Sequence, residues 1–211
     1  MTGTAATMGG MASARTPYQE AARELLRRTL FDAAREQLER RPWSEVTMAD
    51  IAGAAGVSRQ TLYNEFGNRN EFGLAFVIYV GDGFLDRVEE AVRRHFDDPD
   101  AAVGAALELF LRIAGEDPLM KTLLGDDGTG GMLPFVTTQG LPVVAWASGR
   151  LAGVVAEGWP QADRADVDLL SETLVRLAIS HITAPSGSPE QTAAAVARLL
   201  QPFIDRALGG G

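Results

Sequence analysis

Between Ser58 and Asn64 the sequence gathers Ser58, Arg59, Gln60, Thr61, Tyr63 and Asn64 around a single aliphatic residue, Leu62. Wound as a helix, this segment buries Leu62 and turns its hydrogen-bonding side chains outward. Arg59 and Gln60 then sit at the N-terminal end, where long donors reach base edges in the major groove of DNA. Ser58 caps the helix and offers its hydroxyl to a phosphate, while Tyr63 suits a phosphate or a thymine methyl and Asn64 a base or the backbone. The alternatives are poor. There are no cysteines, so disulfides, thiolate metal sites and cysteine nucleophiles are excluded, and only His95 and His181 remain for metal or triad chemistry. The run Trp146-Ala147-Ser148-Gly149 superficially resembles a serine elbow but lacks the glycine before the serine and a preceding strand. No catalytic residue, metal site or cofactor is expected, and the chain does not read as an enzyme.

The elements that must position this segment are equally legible. Thr47 is an N-cap with Asp50 three residues on, and Met48, Ile51 and Ala52 give a short helix one apolar face. Gly56 supplies a sharp turn, Val57 plugs the angle, and Ser58 caps the second helix. In order and spacing, Thr47, Ile51, Ala52, Ala55, Gly56, Val57, Ser58, Leu62, Tyr63 and Phe66 match the N-terminal signature of the TetR-type bacterial repressors, and the chain closely resembles that family over about twenty residues. The resemblance implies double-stranded DNA with a pseudo-palindromic operator as partner. It further places Thr47 and Arg69 on phosphates flanking the recognition helix, with Thr61 among the polar residues of that face. Three positions depart from the pattern: Glu65 stands where histidine is common, Gly67 where proline often starts the next helix, and Arg69 where lysine is usual.

Charge looks wrong for a nucleic-acid binder at −9 overall. Its distribution is uneven: residues 1–70 carry nine Arg against eight acids (+1), and residues 71–211 ten Lys plus Arg against twenty acids (−10). Phosphate contacts must therefore come from individually placed arginines and helix N-termini. The opening residues 1–16 lack a basic stretch and an apolar run, so they read as a disordered leader and not as a signal peptide, with Met8 and Met11 as alternative starts and a cytoplasmic location expected. Gly128–Gly149 is an uncharged stretch of 22 residues, but Pro134, Gly140 and Pro142 interrupt it, so a buried broken helix is expected and not a membrane span. The acidic Gly/Asp loop from Gly125 to Gly131 is expected to be mobile and cannot cradle phosphate.

No stretch alternates with period two, so the fold class is all-α, about nine helices. Residues 17–66 form a three-helix helix-turn-helix domain and 67–211 a larger helical domain. The first helix runs from Pro17 to about Arg40, and Trp43 plugs the core after Pro42 forbids continuation. A long helix from Asn68 to about Phe96 begins beside the DNA-binding unit and ends inside the second domain, which makes it the mechanical link. Helices then follow over 100–114, 118–124, 142–158, from Asp163 or Asp166 to about Thr183, and 189–208.

Ligand binding and homodimerisation by the second domain are what the resemblance implies; the residues themselves show only apolar helices. Phe76, Tyr79, Val80 and Phe84 on the long helix can face Phe110 and Leu111, with Met120, Met132, Phe135, Val144 and Trp146 opposite. Such walls favour a long, oily effector, a fatty acid or related lipid. Arg150, the only charge between Gly128 and Ala156, needs either a ligand carboxylate or an internal partner such as Glu157. His181 reads as an interior histidine more than as a ligand group. Leu174, Leu177, Val196, Leu200 and Phe203 on the last two helices are the candidate dimer contacts. A second reading keeps this domain for dimerisation alone; a cavity among the helices bearing Phe76, Phe110 and Trp146 separates the two.

Overall fold

The computed structural model describes residues 17–125 and 131–208, so the expected leader and most of the Gly125–Gly131 loop lie outside the described residues. Nine α-helices and no strand occur among them: α1 (Pro17–Leu38), α2 (Met48–Ala54), α3 (Arg59–Phe66), α4 (Arg69–Arg93), α5 (Pro99–Glu116), α6 (Pro118–Gly125), α7 (Leu141–Gly158), α8 (Arg164–Thr183) and α9 (Pro189–Ala207). Two short 3₁₀ turns, Trp43–Glu45 and Leu133–Phe135, also occur among the described residues. The broken apolar stretch is one such turn followed by α7, whose Pro142 sits in its first turn and leaves no helix hydrogen bond unmade.

Caps explain most boundaries. Asn68, Asp98, Asp163 and Ser188 each accept a backbone N–H from the first turn of the helix they open. Gly67 ends α3 with φ of +81°, and a side chain there would meet the Glu71 carboxylate, which closes the Asn68–Glu71 capping box. That accounts for the departure from proline at this position.

On α4, Phe72, Phe76, Val80, Val88 and Ala91 form a buried stripe, whereas Gly83 and Arg87 face solvent. α4 packs on α5 and α7, α9 lies on α5, and α8 lies on α7, while α8 and α9 touch little. There are two apolar cores. One joins α1–α3 to the first half of α4, α6 and Phe135; the other joins α4's second half to α5, α7, α8 and α9. A division at residue 66 therefore cuts through the first core. Phe31, Phe66, Phe72, Phe76 and Tyr79 form its centre, with ring centroids 4.7–6.3 Å apart.

Candidate nucleic-acid interface and effector cavity

The α2–α3 unit is built by local hydrogen bonds. The Asp50 amide donates to Thr47 Oγ1 at 3.1 Å, and the Thr47 amide and hydroxyl donate back to Asp50 Oδ2 at 2.9 and 2.7 Å. Those two bonds, the Thr47 hydroxyl first, hold the Asp50 carboxyl below its ordinary pKa. The turn passes through Gly56 at φ +69°, a conformation that costs other residues energy. Ser58 then accepts from the Thr61 amide at 3.0 Å, and Leu62 is fully buried beneath α3.

What remains exposed on α3 is Arg59, Gln60, Tyr63 and Asn64, with Ser58 at its cap. The Gln60 amide donates to Asn64 Oδ1 at 2.7 Å, so the two side chains are held as a unit that still presents one carbonyl and one amide outward. Thr61 is half-buried, and its hydroxyl is shared with Ser58 at 2.8 Å. Thr47 is exposed at the start of α2.

Two charged residues go elsewhere than their sequence positions suggested. Arg69 donates to the Val46 and Trp43 carbonyls and lies 4.0 Å above the Trp43 ring. Burial lowers its pKa. Its guanidinium is used to tie the first turn of α4 to the segment before α2, which corrects its assignment as a phosphate contact. Glu65 turns inward to α1, where Arg23 and Arg27 each approach it at 2.8 Å. Burial raises the Glu65 pKa, but the hydrogen bonds and charges of the two arginines outweigh it and leave the pKa lowered. The two arginines neutralise this carboxylate and pin α3 to α1. Arg59 makes no ion pair among the described residues and is the exposed cation at the start of α3.

A cavity of about 120 Å³ lies between α4, α5, α6, α7 and α8. Val80, Phe84, Phe110, Met120, Met132 and Trp146 line it as expected, and no charged side chain does. The other six candidates are displaced. Phe76 is consumed by the aromatic core, and Tyr79 stacks on Phe31 and donates to Asp32 at 2.9 Å. Phe135 packs against Gly73, where a side chain would come within 2.7 Å of its ring. Val144 faces the second core, and Leu111 lines a different recess. Arg150 meets three carboxylates on successive turns of α4, Asp82 at 3.0 Å, Asp86 at 2.7 Å and Glu89 at 2.6 Å, while Glu157 pairs with Arg93. Burial works against the Arg150 charge, but these acids raise its pKa. It is an internal clamp between α4 and α7, and no ligand carboxylate is needed to neutralise it.

The sequence reading missed the α8 wall. Leu174, assigned to the dimer interface, is 7% exposed and lines the cavity together with Val175, Ile179 and Ile182. Val196 is buried against the core within the protomer. Gly81 was missed too: it sits under Trp146, and a Cβ there would lie 2.8 Å from the indole.

Comparison with known proteins supplies independent information. Residues 30–75 match the family model described as bacterial regulatory proteins, tetR family, and residues 98–202 the one described as bacterial tetracyclin repressor, C-terminal domain. The chain is 37% identical over 199 residues to the HTH-type transcriptional regulator AlkX of Mycobacterium tuberculosis (strain ATCC 25618 / H37Rv), covering 91% of each. It also resembles the crystal structure of a TetR family repressor AlkX from Dietzia sp. strain DQ12-45-1b, implicated in biodegradation of n-alkanes. That likeness has 32% identity and a TM-score of 0.74, over 86% of this chain and 96% of the other. A TetR-family transcriptional regulator from Pectobacterium atrosepticum shares the fold alone, at 18% identity and a TM-score of 0.60 over 93% of this chain and 99% of that one.

Proposed function

From the premise that this chain belongs to the TetR family and is a DNA-binding transcriptional regulator, we propose that it is a homodimeric repressor released from its operator by an apolar effector. Arg59 and Gln60 read bases, and Ser58, Thr47, Tyr63 and Asn64 contact the backbone or neighbouring bases. The effector is a long-chain hydrocarbon or lipid, fatty acids among them. The observation that carries this reading is the cavity against α4, walled only by hydrocarbon, aromatic and thioether groups. A sugar or nucleotide would lose its hydrogen bonds to water there without replacement. A relative implicated in n-alkane biodegradation supports an oily ligand.

The mechanism follows from the two ends of α4. Its first turns are fixed to the DNA-binding unit by Arg69 and by the stacked rings of Trp43, Phe72 and Phe76. Its middle, from Val80 to Leu85, is a cavity wall. A volume of about 120 Å³ compares with the ~150 Å³ engineered cavity that admits benzene, so a long chain enters only by displacing walls. Displacing α4 carries α1–α3 with it and alters the spacing of the two recognition helices in the dimer. Release then scales with the effector's preference for the non-DNA spacing.

Titration of n-alkanes, long-chain fatty acids and polar metabolites into a labelled operator complex, followed by fluorescence anisotropy, tests the proposal. Release by the long-chain compounds is expected. Release by a polar metabolite alone would refute it.

A further inference from the structure

Behind the apolar cavity lies a second recess of about 540 Å³, formed where the ends of α5 and α8 meet α6 and the start of α9. The two share Ile182 as a common wall, and neighbouring residues open to opposite sides of it. Phe110, Met120 and Ile182 line the apolar side; Leu111, Lys121 and His181 line the other. The recess differs in chemistry from its neighbour. Arg112 and Lys121 contribute two positive charges against the one negative charge of Glu116, a net of +1 before His181 is counted. This stands in a segment, residues 71–211, whose net charge is −10. Neither the Arg112 nor the Lys121 side chain makes a hydrogen bond or an ion pair within 4 Å among the described residues, although Glu190 in the first turn of α9 acts on Arg112 electrostatically. The donors of the recess are thus available, whereas Arg150 is saturated by three acids.

We infer that the effector is an alkyl-chain carboxylate whose tail fills the apolar cavity and whose anionic head passes Ile182 to rest on Arg112, Lys121 and His181. This rests on the effector reading above and sharpens it. A chain too long for the apolar cavity must emerge somewhere, and an ionised carboxylate buried among hydrocarbon walls would be prohibitively costly. Emergence past Ile182 places it beside unpaired cations in a partly hydrated recess, where charge-assisted hydrogen bonds favour it over an uncharged head. Movement of Ile182, on α8, is the step that joins the two spaces.

Calorimetric titration of the full chain with tetradecanoate and with methyl tetradecanoate tests the assignment, because the two differ only at the head. The acid is expected to bind about tenfold or more tightly than the ester. An R112Q/K121Q double variant, altered only at exposed positions, is expected to abolish that difference and leave ester affinity unchanged. His181→Gln is expected to weaken the acid selectively. Equal affinity of the unaltered protein for acid and ester, or acid affinity unchanged in the double variant, overturns the head-group site and leaves the apolar cavity reading intact. Failure of both compounds to bind overturns both readings.

Discussion

Arg59 and Arg69 lie at the two ends of the same short helix and carry the same charge, but their surroundings are opposite. Arg59 is exposed and free of ion pairs among the described residues, whereas Arg69 spends its donors on the Val46 and Trp43 carbonyls. Replacing each by alanine therefore separates recognition from architecture. Arg59→Ala is expected to leave urea denaturation unchanged, cost about 1–3 kcal/mol in operator binding and relax base preference at particular positions. Arg69→Ala is expected to lower folding stability by about 1–3 kcal/mol, because two carbonyls lose their donor and Trp43 loses the cation above it. Footprinting of both variants, paired with denaturation curves, checks this. Unchanged operator affinity in Arg59→Ala would remove the recognition role of α3.

Among elements, the contact between α1 and α3 depends on one carboxylate. Glu65 is held by Arg23 and Arg27 at 2.8 Å, and its pKa is lowered in the fold. The sign follows directly: a carboxyl with a folded pKa below its unfolded value of about 4.3 stabilises the fold above that pH. The contribution fades as pH falls from there through the lower folded value. Glu65→Gln is expected to be less stable than the parent protein at pH 7, with the gap closing as the pH falls below the ordinary glutamate range. Urea midpoints measured across that range test it, and a gap independent of pH would show that packing, not charge, accounts for the loss. The α4–α7 contact is charged as well, but there one arginine serves three acids, and Asp82 and Asp86 remain well exposed. Water screens that clamp more, so it orients the two helices more than it stabilises them.

For the whole molecule, the exposed apolar side chains of the last two helices provide the test of the proposed dimer. Leu174 and Val196 are buried within the protomer, so they are poor probes of an interface. Leu169 on α8 and Leu199 on α9 are 56% and 73% exposed, with Leu177, Leu200 and Phe203 half-buried beside them. Two such helices from each copy would form a four-helix bundle, burying well above ~1,200 Å² in total. Leu169→Glu combined with Leu199→Glu is expected to yield folded monomers in analytical ultracentrifugation, since neither side chain contributes to the protomer core. A dimer that persists would place the interface on another face. Monomers should also lose operator affinity, because one recognition helix alone gives up the second half-site.

The sequence alone determined the helix-turn-helix, the all-helical fold and most helix ends, because these depend on interactions three or four residues apart. Thr47 and Asp50, Ser58 and Thr61, and Asn68 and Glu71 are capping pairs at such spacing. Gly56 and Gly67 supply the positive-φ turns among the described residues. Tertiary structure alone decided which charges are free. Arg69 finds its partners 23 and 26 residues away, Glu65 finds Arg23 at 42, and Arg150 finds Asp82 at 68, separations across which no periodicity in the chain speaks. The cavity is of the same kind. Phe76 and Val80 lie one turn apart on one apolar stripe, yet Phe76 closes the aromatic core and Val80 opens on empty space. Hydrophobic period tells which face of a helix is buried, but the neighbour that meets each turn of that face is set by the packing of five separate helices.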